Sequence, residues 1–218
     1  MPATKKLFFA LGLLILGVVL LLGKQIQRSL TITTAPTLQP ILSPYTTDIP
    51  VDVADPILGN PGAPLSLVAF MDIGCAECKK LHRTLVDFVN RHPEDARLIW
   101  KDAPEQTLFI KDTVPAHTAA YCASKQGKFW AYLDVIMADK KYRSQNDLAA
   151  AAEALKLDIG AWQTCLKNPA TEPRIQAGRV LAQQLGATKV PVIFVNNKRL
   201  TLTEDINVNE LLEAFIAP

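Results

Sequence analysis

Two cysteines separated by two residues, Cys75-Ala76-Glu77-Cys78, are the side chains best suited to chemistry in this chain. An apolar run at 65–71 predicts a buried strand before them, and apolar residues at helical spacing follow, so Cys75 is expected at the start of a helix. Unpaired backbone N–H groups and the helix dipole favour the thiolate there, which is the reactive form of cysteine. Cys78, one turn later, can attack a mixed disulfide formed at Cys75. This pattern predicts reversible dithiol–disulfide exchange.

Three neighbouring side chains are candidate modulators of this pair. Glu77 opposes thiolate formation at Cys75, so we expect a Cys75 pKa below the free value of about 8.5 but not extremely low. Asp72 either contributes to the site or only caps the loop. His82 lies one turn beyond Cys78, either at the rim of the exchange site or as the third ligand of a metal face with the two cysteines. A structural zinc site needs four ligands, and the sequence has no second closely spaced cysteine pair, so no resident metal is expected.

The chain of 218 residues is long enough for one domain with a sizeable core and additional segments. Its formal net charge is +2, and no cluster of Lys and Arg is interleaved with aromatic residues. Nucleic acid is therefore excluded as a partner.

Residues 7–23 contain no charged residue and would span roughly 25 Å as a helix, near the short end of what crosses a bilayer. Lysines flank this segment on both sides, so positive charge alone does not orient it. No A-x-A-like cleavage site follows, which favours a retained signal anchor over a cleaved signal peptide. An export signal and four cysteines suggest an oxidising compartment. We therefore expect a single-pass protein of the cytoplasmic (inner) membrane, with its N-terminus inside and its catalytic domain outside the cytoplasm.

The alternation of patterns predicts an α/β protein in five parts. Residues 1–30 form a cytoplasmic tip and transmembrane anchor, and 31–54, rich in Pro and Thr, form an extended linker. A strand–helix–strand half follows at 55–104, then a wholly helical block at 105–186 and a strand–strand–helix half at 187–218.

Several short signals mark the ends of elements within these parts. Ser144 and Asp158 are suited to begin helices, and Gly186 to end one. Asn196-Asn197 lies between two apolar runs and predicts a hairpin turn.

These motifs together resemble the DsbA-like branch of the thioredoxin superfamily over roughly residues 55–217. The resemblance implies a thioredoxin fold with an inserted helical domain, thiol–disulfide oxidoreductase activity outside the cytoplasm, and no bound organic cofactor. The segments that carry it are Gly59–Pro64, Phe70–Lys79, Ala120–Ala123, Gln126–Trp130 and Val190–Asn196.

The resemblance also implies roles for individual residues. Cys75 would be the nucleophile and Cys78 the resolving cysteine, and Val190-Pro191 would be a cis bond beside them. A client strand could then pair with the main chain near Val190, which gives affinity without sequence choice. Disulfide isomerases of this superfamily commonly have threonine before the cis-proline, so Val190 favours an oxidase.

The sequence departs from the family pattern on the strand before the motif. Many relatives carry a buried acid six positions before the nucleophile, and here that position is Ala69. Lys101 and Asp102, at the end of the second strand, are candidates for proton transfer instead. His92 and His117 lack partners at useful spacing, and we assign them no role.

Cys122 and Cys165 remain if the motif cysteines pair with each other. Relatives with cysteines in matching segments form this bridge, so the resemblance implies a structural disulfide. Two separate buried thiols are the alternative, because apolar helix neighbours suit free cysteine.

The sequence therefore predicts a dithiol oxidase that acts on reduced or unfolded secreted proteins. By resemblance, a quinone-linked membrane thiol oxidase of the DsbB or vitamin K epoxide reductase type would reoxidise it. One alternative is a reductase or isomerase kept reduced by a membrane electron donor. The other is a metal-binding chaperone that uses Cys75, Cys78 and His82.

Overall fold

The computed structural model describes residues 13, 15–24, 42–105, 112–138, 144–202 and 206–217. The chain divides into two compact units, Met1–Thr37 and Leu38–Pro218. In the first unit, the described residues are helical. No helix among the described residues has the length and apolar character that a bilayer crossing requires. Part of the predicted anchor (7–12 and 14) and of the predicted linker (31–41) lies outside the described residues, so the anchor stays a prediction.

The second unit is built on one mixed sheet with the strand order β1-β6-β5-β3-β4-β2. The neighbours β3 and β4 are parallel, whereas β3–β5, β5–β6, β1–β6 and β2–β4 are antiparallel. The strands are β1 (Leu42–Thr46), β2 (Ile57–Gly59), β3 (Leu65–Met71), β4 (Ala96–Asp102), β5 (Val192–Val195) and β6 (Lys198–Leu200).

The helices follow the predicted blocks, with one between β3 and β4, five between β4 and β5, and one after β6 among the described residues. They are α1 (Ala76–Arg91), α2 (Val114–Ser124), α3 (Phe129–Ala138), α4 (Gln145–Ala154), α5 (Ile159–Leu166), α6 (Thr171–Gln184) and α7 (Val208–Ile216). The strand–helix–strand and strand–strand–helix halves are therefore present.

The central strand β3 is buried on both faces, which explains its continuous apolar sequence. Leu67, Ala69 and Met71 face a core formed with α1 and the helical block. Val68 and Phe70 face a smaller core on the other side of the sheet, where Ala182 of α6 packs. The strand is thus held rigidly up to Met71, the residue from which the chain enters the cysteine motif.

Residues 42–46 of the predicted linker form a strand instead of an extended spacer, and residues 47–54 contain no helix or strand. β1 pairs with β6 at the sheet edge, and Ile49 is buried. Asp55 forms a buried ion pair with Lys101 of β4, with Arg174 of α6 nearby. Prolines are tolerated in edge strands, which is why a proline-rich segment can join the sheet here.

Local signals placed the ends of several elements correctly. Ser144 forms a capping box with Asp147 at the start of α4, and Asp158 accepts a hydrogen bond from the backbone N–H of Ala161. Gly186 follows α6 with φ +73°. Asn196 and Asn197 have φ values of 47° and 64°, as a tight hairpin turn between β5 and β6 requires.

The predicted disulfide between Cys122 and Cys165 is confirmed. It joins α2 to α5 with a Cα–Cα distance of 5.7 Å. The bridge therefore crosslinks the helical block and leaves Cys75 and Cys78 as free thiols.

Candidate active site

Cys75 is the N-cap residue of α1, as the sequence predicts. Its φ of −76° and ψ of 129° are extended, and its sulfur accepts a hydrogen bond from the backbone N–H of Cys78 at 3.1 Å. This N–H is one of the donors that a helix start leaves without an intrahelical partner, so a negative sulfur is stabilised there. Cys75 is also partly accessible, as a nucleophile must be.

The two thiols differ in burial and therefore in acidity. A hydrogen bond from the Cys78 thiol lowers the pKa of Cys75, and the Cys78 backbone N–H adds to this effect, although partial burial opposes it. Full burial raises the pKa of Cys78 far above its usual range, and the neighbouring Cys75 raises it further. The outer sulfur therefore has the acidity that a nucleophile needs, and the inner one stays protonated in the dithiol form.

Glu77 has the effect that the sequence suggests. Its Oε2 atom lies 3.6 Å from the Cys75 sulfur, and its negative charge raises the pKa of Cys75 against the lowering effects. The net direction is still downward, as expected for Cys75.

Asp72 shapes the turn that leads from β3 to Cys75. Its Oδ1 accepts a hydrogen bond from the backbone N–H of Gly74 at 3.0 Å, and its carbonyl accepts one from the N–H of Cys75 at 3.2 Å. Its side chain is only 1% exposed. Asp72 is therefore a loop-capping aspartate and, because its charge also raises the pKa of Cys78, part of the electrostatic environment of the site.

Beneath this turn lies a buried carboxylate–imidazole–carboxylate network that sequence reasoning missed. His117 of α2 places Nε2 3.1 Å from Asp72 Oδ1 and Nδ1 2.7 Å from Asp102 Oδ1. Trp100 Nε1 donates a further hydrogen bond to Asp102 at 2.8 Å. Burial alone would lower the pKa of His117, but hydrogen bonds and charges from Asp102 and Asp72 raise it to about 9.

The same pairing keeps Asp72 ionised inside the protein. Burial favours the neutral acid, but the hydrogen bond and the charge of His117 hold the pKa of Asp72 below its usual value. The hydrogen bonds and charges of the network therefore favour the ionised form of Asp72 and the protonated form of His117.

Of the two proton-transfer candidates on β4, only Asp102 lies in this network. Lys101 points to the opposite face of the sheet, where its Nζ binds Asp55 and the carbonyl of Pro50. Alternation along a strand separates the two side chains, so Lys101 has no place at the cysteines.

The bond between Val190 and Pro191 is cis, as predicted. The carbonyl oxygen of Val190 lies 3.9 Å from the Cys75 sulfur. The backbone N–H of Val190 donates a hydrogen bond to Oε1 of Glu105 at 3.1 Å. The sequence did not suggest this contact. A groove of about 750 Å³ opens at this point, lined by residues that include Cys75, Glu77, Glu105, Arg179, Lys189 and Val190.

His82 does not lie at the rim of the site, so that expectation was wrong. Its side chain is 1% exposed, Nε2 lies 2.8 Å from Asp134 Oδ1, and the ring stacks on Trp130. No group of three His, Cys, Asp or Glu side chains is placed to hold a metal within the part of the chain that the structure describes. The three-ligand face of Cys75, Cys78 and His82 is therefore not formed here.

A match to a protein-family model identifies the family of this chain. A family model described as "Thioredoxin" matches residues 52–215, which is most of the chain. This chain belongs to the thioredoxin family. The paired cysteines of this thioredoxin-family chain, one with a lowered pKa at a helix start and one buried, have the arrangement that thiol–disulfide exchange requires.

Solved structures share the fold of this chain. A thioredoxin-like oxidoreductase from Silicibacter pomeroyi DSS-3 is 24% identical, with a TM-score of 0.63 over 77% of this chain and 95% of that one. The thiol-disulfide exchange protein alpha-DsbA2 from Wolbachia pipientis is 21% identical, with a TM-score of 0.64 over 75% of this chain and 88% of that one. The α/β thioredoxin-like fold expected from the sequence is thereby confirmed.

The curated relatives of this thioredoxin-family chain are longer proteins. The Na(+)/H(+) antiporter NhaA of Herminiimonas arsenicoxydans is 29% identical over 173 residues, which cover 78% of this chain and 27% of the antiporter. The chain therefore spans about a quarter of the length of that protein.

Proposed function

We propose that this protein is an extracytoplasmic dithiol oxidase that transfers its Cys75–Cys78 disulfide to reduced secreted proteins. The observation that carries the proposal is the position of Cys75 as the N-cap of α1, with its sulfur 3.1 Å from the Cys78 N–H. A site that stabilises the Cys75 thiolate stabilises the reduced form of the pair. The oxidised pair is then a disulfide donor.

The proposed reaction needs only thiols and the disulfide. A client thiolate attacks the Cys75 sulfur, the Cys75–Cys78 bond breaks, and the departing Cys78 thiolate takes up a proton. A second client thiolate then attacks the client sulfur of the mixed disulfide and releases Cys75. Two electrons pass from the client to the cysteine pair, whose dithiol form is the one described above.

The Val190 backbone is the proposed attachment point for the client chain. Residues before proline are restricted to extended backbone, and an extended residue can exchange two hydrogen bonds with an antiparallel strand. The Val190 carbonyl lies beside Cys75, so a client strand paired there would bring its cysteine to the nucleophile.

The setting of the enzyme is also proposed. The uncharged segment 7–23 would anchor it in the cytoplasmic membrane, with the folded unit outside the cytoplasm where disulfides persist. A quinone-linked membrane thiol oxidase of the DsbB or vitamin K epoxide reductase type would remove the electrons. No organic cofactor or metal has a role in this scheme.

The redox equilibrium of the Cys75–Cys78 pair with glutathione tests the direction of transfer. We expect a pair that is more oxidising than thioredoxin and that oxidises a reduced model protein. Cys75→Ser should abolish exchange. Cys78→Ser, incubated with a disulfide-bonded model substrate, should accumulate a mixed disulfide at Cys75 that mass spectrometry detects, because the substrate disulfide supplies the bond that Cys75 breaks and no second cysteine resolves the product. A pair as reducing as thioredoxin, with no net oxidation of the model protein, would contradict the proposal.

A reductase or isomerase is the second candidate, and one contact favours it. Glu77, 3.6 Å from the Cys75 sulfur, weakens the thiolate and makes the oxidised pair a milder oxidant. The glutathione equilibrium separates the two candidates. Metal handling has less support, because His82 is buried against Trp130 and Asp134.

A further inference from the structure

Glu105 occupies one of the two main-chain positions that a client strand would use. Its Oε1 accepts the hydrogen bond of the Val190 N–H at 3.1 Å, while the Val190 carbonyl lies 3.9 Å from Cys75 Sγ. In extended backbone, the N–H and C=O of one residue point to the same side and bond to the same neighbouring strand. A client that pairs with Val190 must therefore replace Glu105 at the N–H.

The position of Glu105 is fixed by the core of the site. Its own N–H donates to Asp72 Oδ2 at 3.2 Å, and Asp72 is held by the buried His117. Pro104 precedes it with a fixed φ, and the N–H of Ala103 extends the pairing of β4 with β3 by bonding to Met71. The side chain therefore extends to Val190 from a main chain that is anchored at both strands.

The Glu105 carboxylate competes with a client carbonyl for the Val190 N–H because of the strength of its hydrogen bond. A carboxylate accepts a stronger hydrogen bond than a peptide carbonyl does, so the exchange of Glu105 for a client carbonyl costs free energy. The contact also satisfies a main-chain donor that would otherwise face an open groove next to the reactive sulfur.

We propose that Glu105 is a gating residue that competes with client chains for the Val190 N–H and thereby weakens their binding without changing the reactivity of Cys75. This inference rests on the proposed function, because it takes the client to pair with Val190. It assigns a role in client affinity to a residue outside the cysteine motif and outside the cis-proline pair.

Steady-state kinetics with two substrates test the gate. We expect Glu105→Ala to lower the KM for a reduced dithiol peptide by roughly three- to tenfold, the range of one hydrogen bond. The change in KM with dithiothreitol, which has no peptide backbone, should be much smaller than the change with the peptide. Glu105→Gln keeps a hydrogen-bond acceptor without the charge. Its KM for the peptide should therefore lie between those of the wild type and Glu105→Ala.

Two further measurements keep the test specific. Glu94→Ala removes a glutamate whose carboxylate bonds Asn60, away from the cysteines, and should leave both substrates unaffected. Amide hydrogen exchange at Val190 should be faster in Glu105→Ala than in the wild type.

The outcomes separate this inference from the proposed function. An unchanged or higher peptide KM in Glu105→Ala, or an equal change with dithiothreitol, would overturn the gate and leave the oxidase proposal standing. A wild type that oxidises dithiothreitol but not the peptide would overturn the proposed function and this inference with it.

Discussion

The Asp72 carboxylate and the His117 imidazole form an ion pair that is closed to solvent. Their atoms Oδ1 and Nε2 lie 3.1 Å apart, and the side chains are 1% and 0% exposed. Because Asp72 also holds the turn before Cys75, this pair links the stability of the fold to the geometry of the nucleophile. A buried charge that loses its partner is costly, so the pair is sensitive to substitution.

Replacement of His117 with asparagine should destabilise the protein in a pH-dependent way. The folded pKa of His117 is raised from 6.5 to about 9, so its stabilising contribution is complete below pH 6.5 and is lost as pH rises through 9. We expect the variant to lose about 3 kcal/mol of unfolding free energy at the lower pH and much less at the higher pH. Urea unfolding of the oxidised wild type and variant between about pH 6 and about pH 9.5 measures this difference in unfolding free energy.

The partly exposed His92, paired with Glu213, is the matched control for this experiment. His92→Asn should change stability little at any pH. A His117→Asn loss that is the same below pH 6.5 and above pH 9 would show that the imidazole is neutral in the folded protein.

Glu77→Gln should lower the pKa of Cys75, because it removes a negative charge 3.6 Å from the sulfur. A more stable thiolate stabilises the reduced form, so the Cys75–Cys78 pair should also become a stronger oxidant. Ultraviolet absorbance of the thiolate against pH measures the first effect, and the glutathione equilibrium the second. Glu94→Gln serves as control, and identical titrations of Glu77→Gln and wild type would remove Glu77 from the account.

Removal of the bridge between α2 and α5 should cost stability but not activity. The double variant Cys122→Ser, Cys165→Ser is expected to lose about 4 kcal/mol of unfolding free energy, as the chain-entropy model gives for a loop of this length. Exchange at Cys75 should continue, because the bridge does not touch it. Denaturant unfolding under non-reducing conditions measures the loss, and a double variant as stable as the wild type would argue against the estimate.

Gly178 of α6 allows the close approach of that helix to β4. A Cβ atom there would lie 2.1 Å from the carbonyl oxygen of Asp102, so Gly178→Ala must displace the strand end that carries the buried network. We expect a loss of about 1–3 kcal/mol and a lower exchange rate. Gly160→Ala is the control, since the nearest atom outside its own helix, Asp158 Oδ1, lies at 3.4 Å. Equal melting temperatures for Gly178→Ala and wild type would contradict this packing.

Features that depend on neighbouring residues were predictable from the sequence. The start of α1 at Cys75, the capping box at Ser144 and the hairpin turn at Asn196 are each set by a few adjacent side chains. The cis bond at Pro191 and the Cys122–Cys165 bridge required family resemblance as well, because spacing alone leaves other arrangements open.

Features that depend on distant pairing were not predictable. His117 has no partner at helical or strand spacing, and its two carboxylates come from the ends of β3 and β4. The orientation of His82 is decided by Trp130 and Asp134 of α3, which no local pattern reveals. β1 lies in a proline-rich segment typical of a linker and becomes a strand because β6 offers an unpaired edge.

That last pairing determines where the protein can be shortened. A chain that began at residue 52, where the family match starts, would lack β1. The backbone N–H and C=O groups of β6 that pair with β1 would then have no strand partner. Exposed strand edges can pair with strands of other chains, so the shortened protein should aggregate in solution even with its cysteines intact. We therefore expect the strand at 42–46 to protect this sheet edge from pairing with another chain.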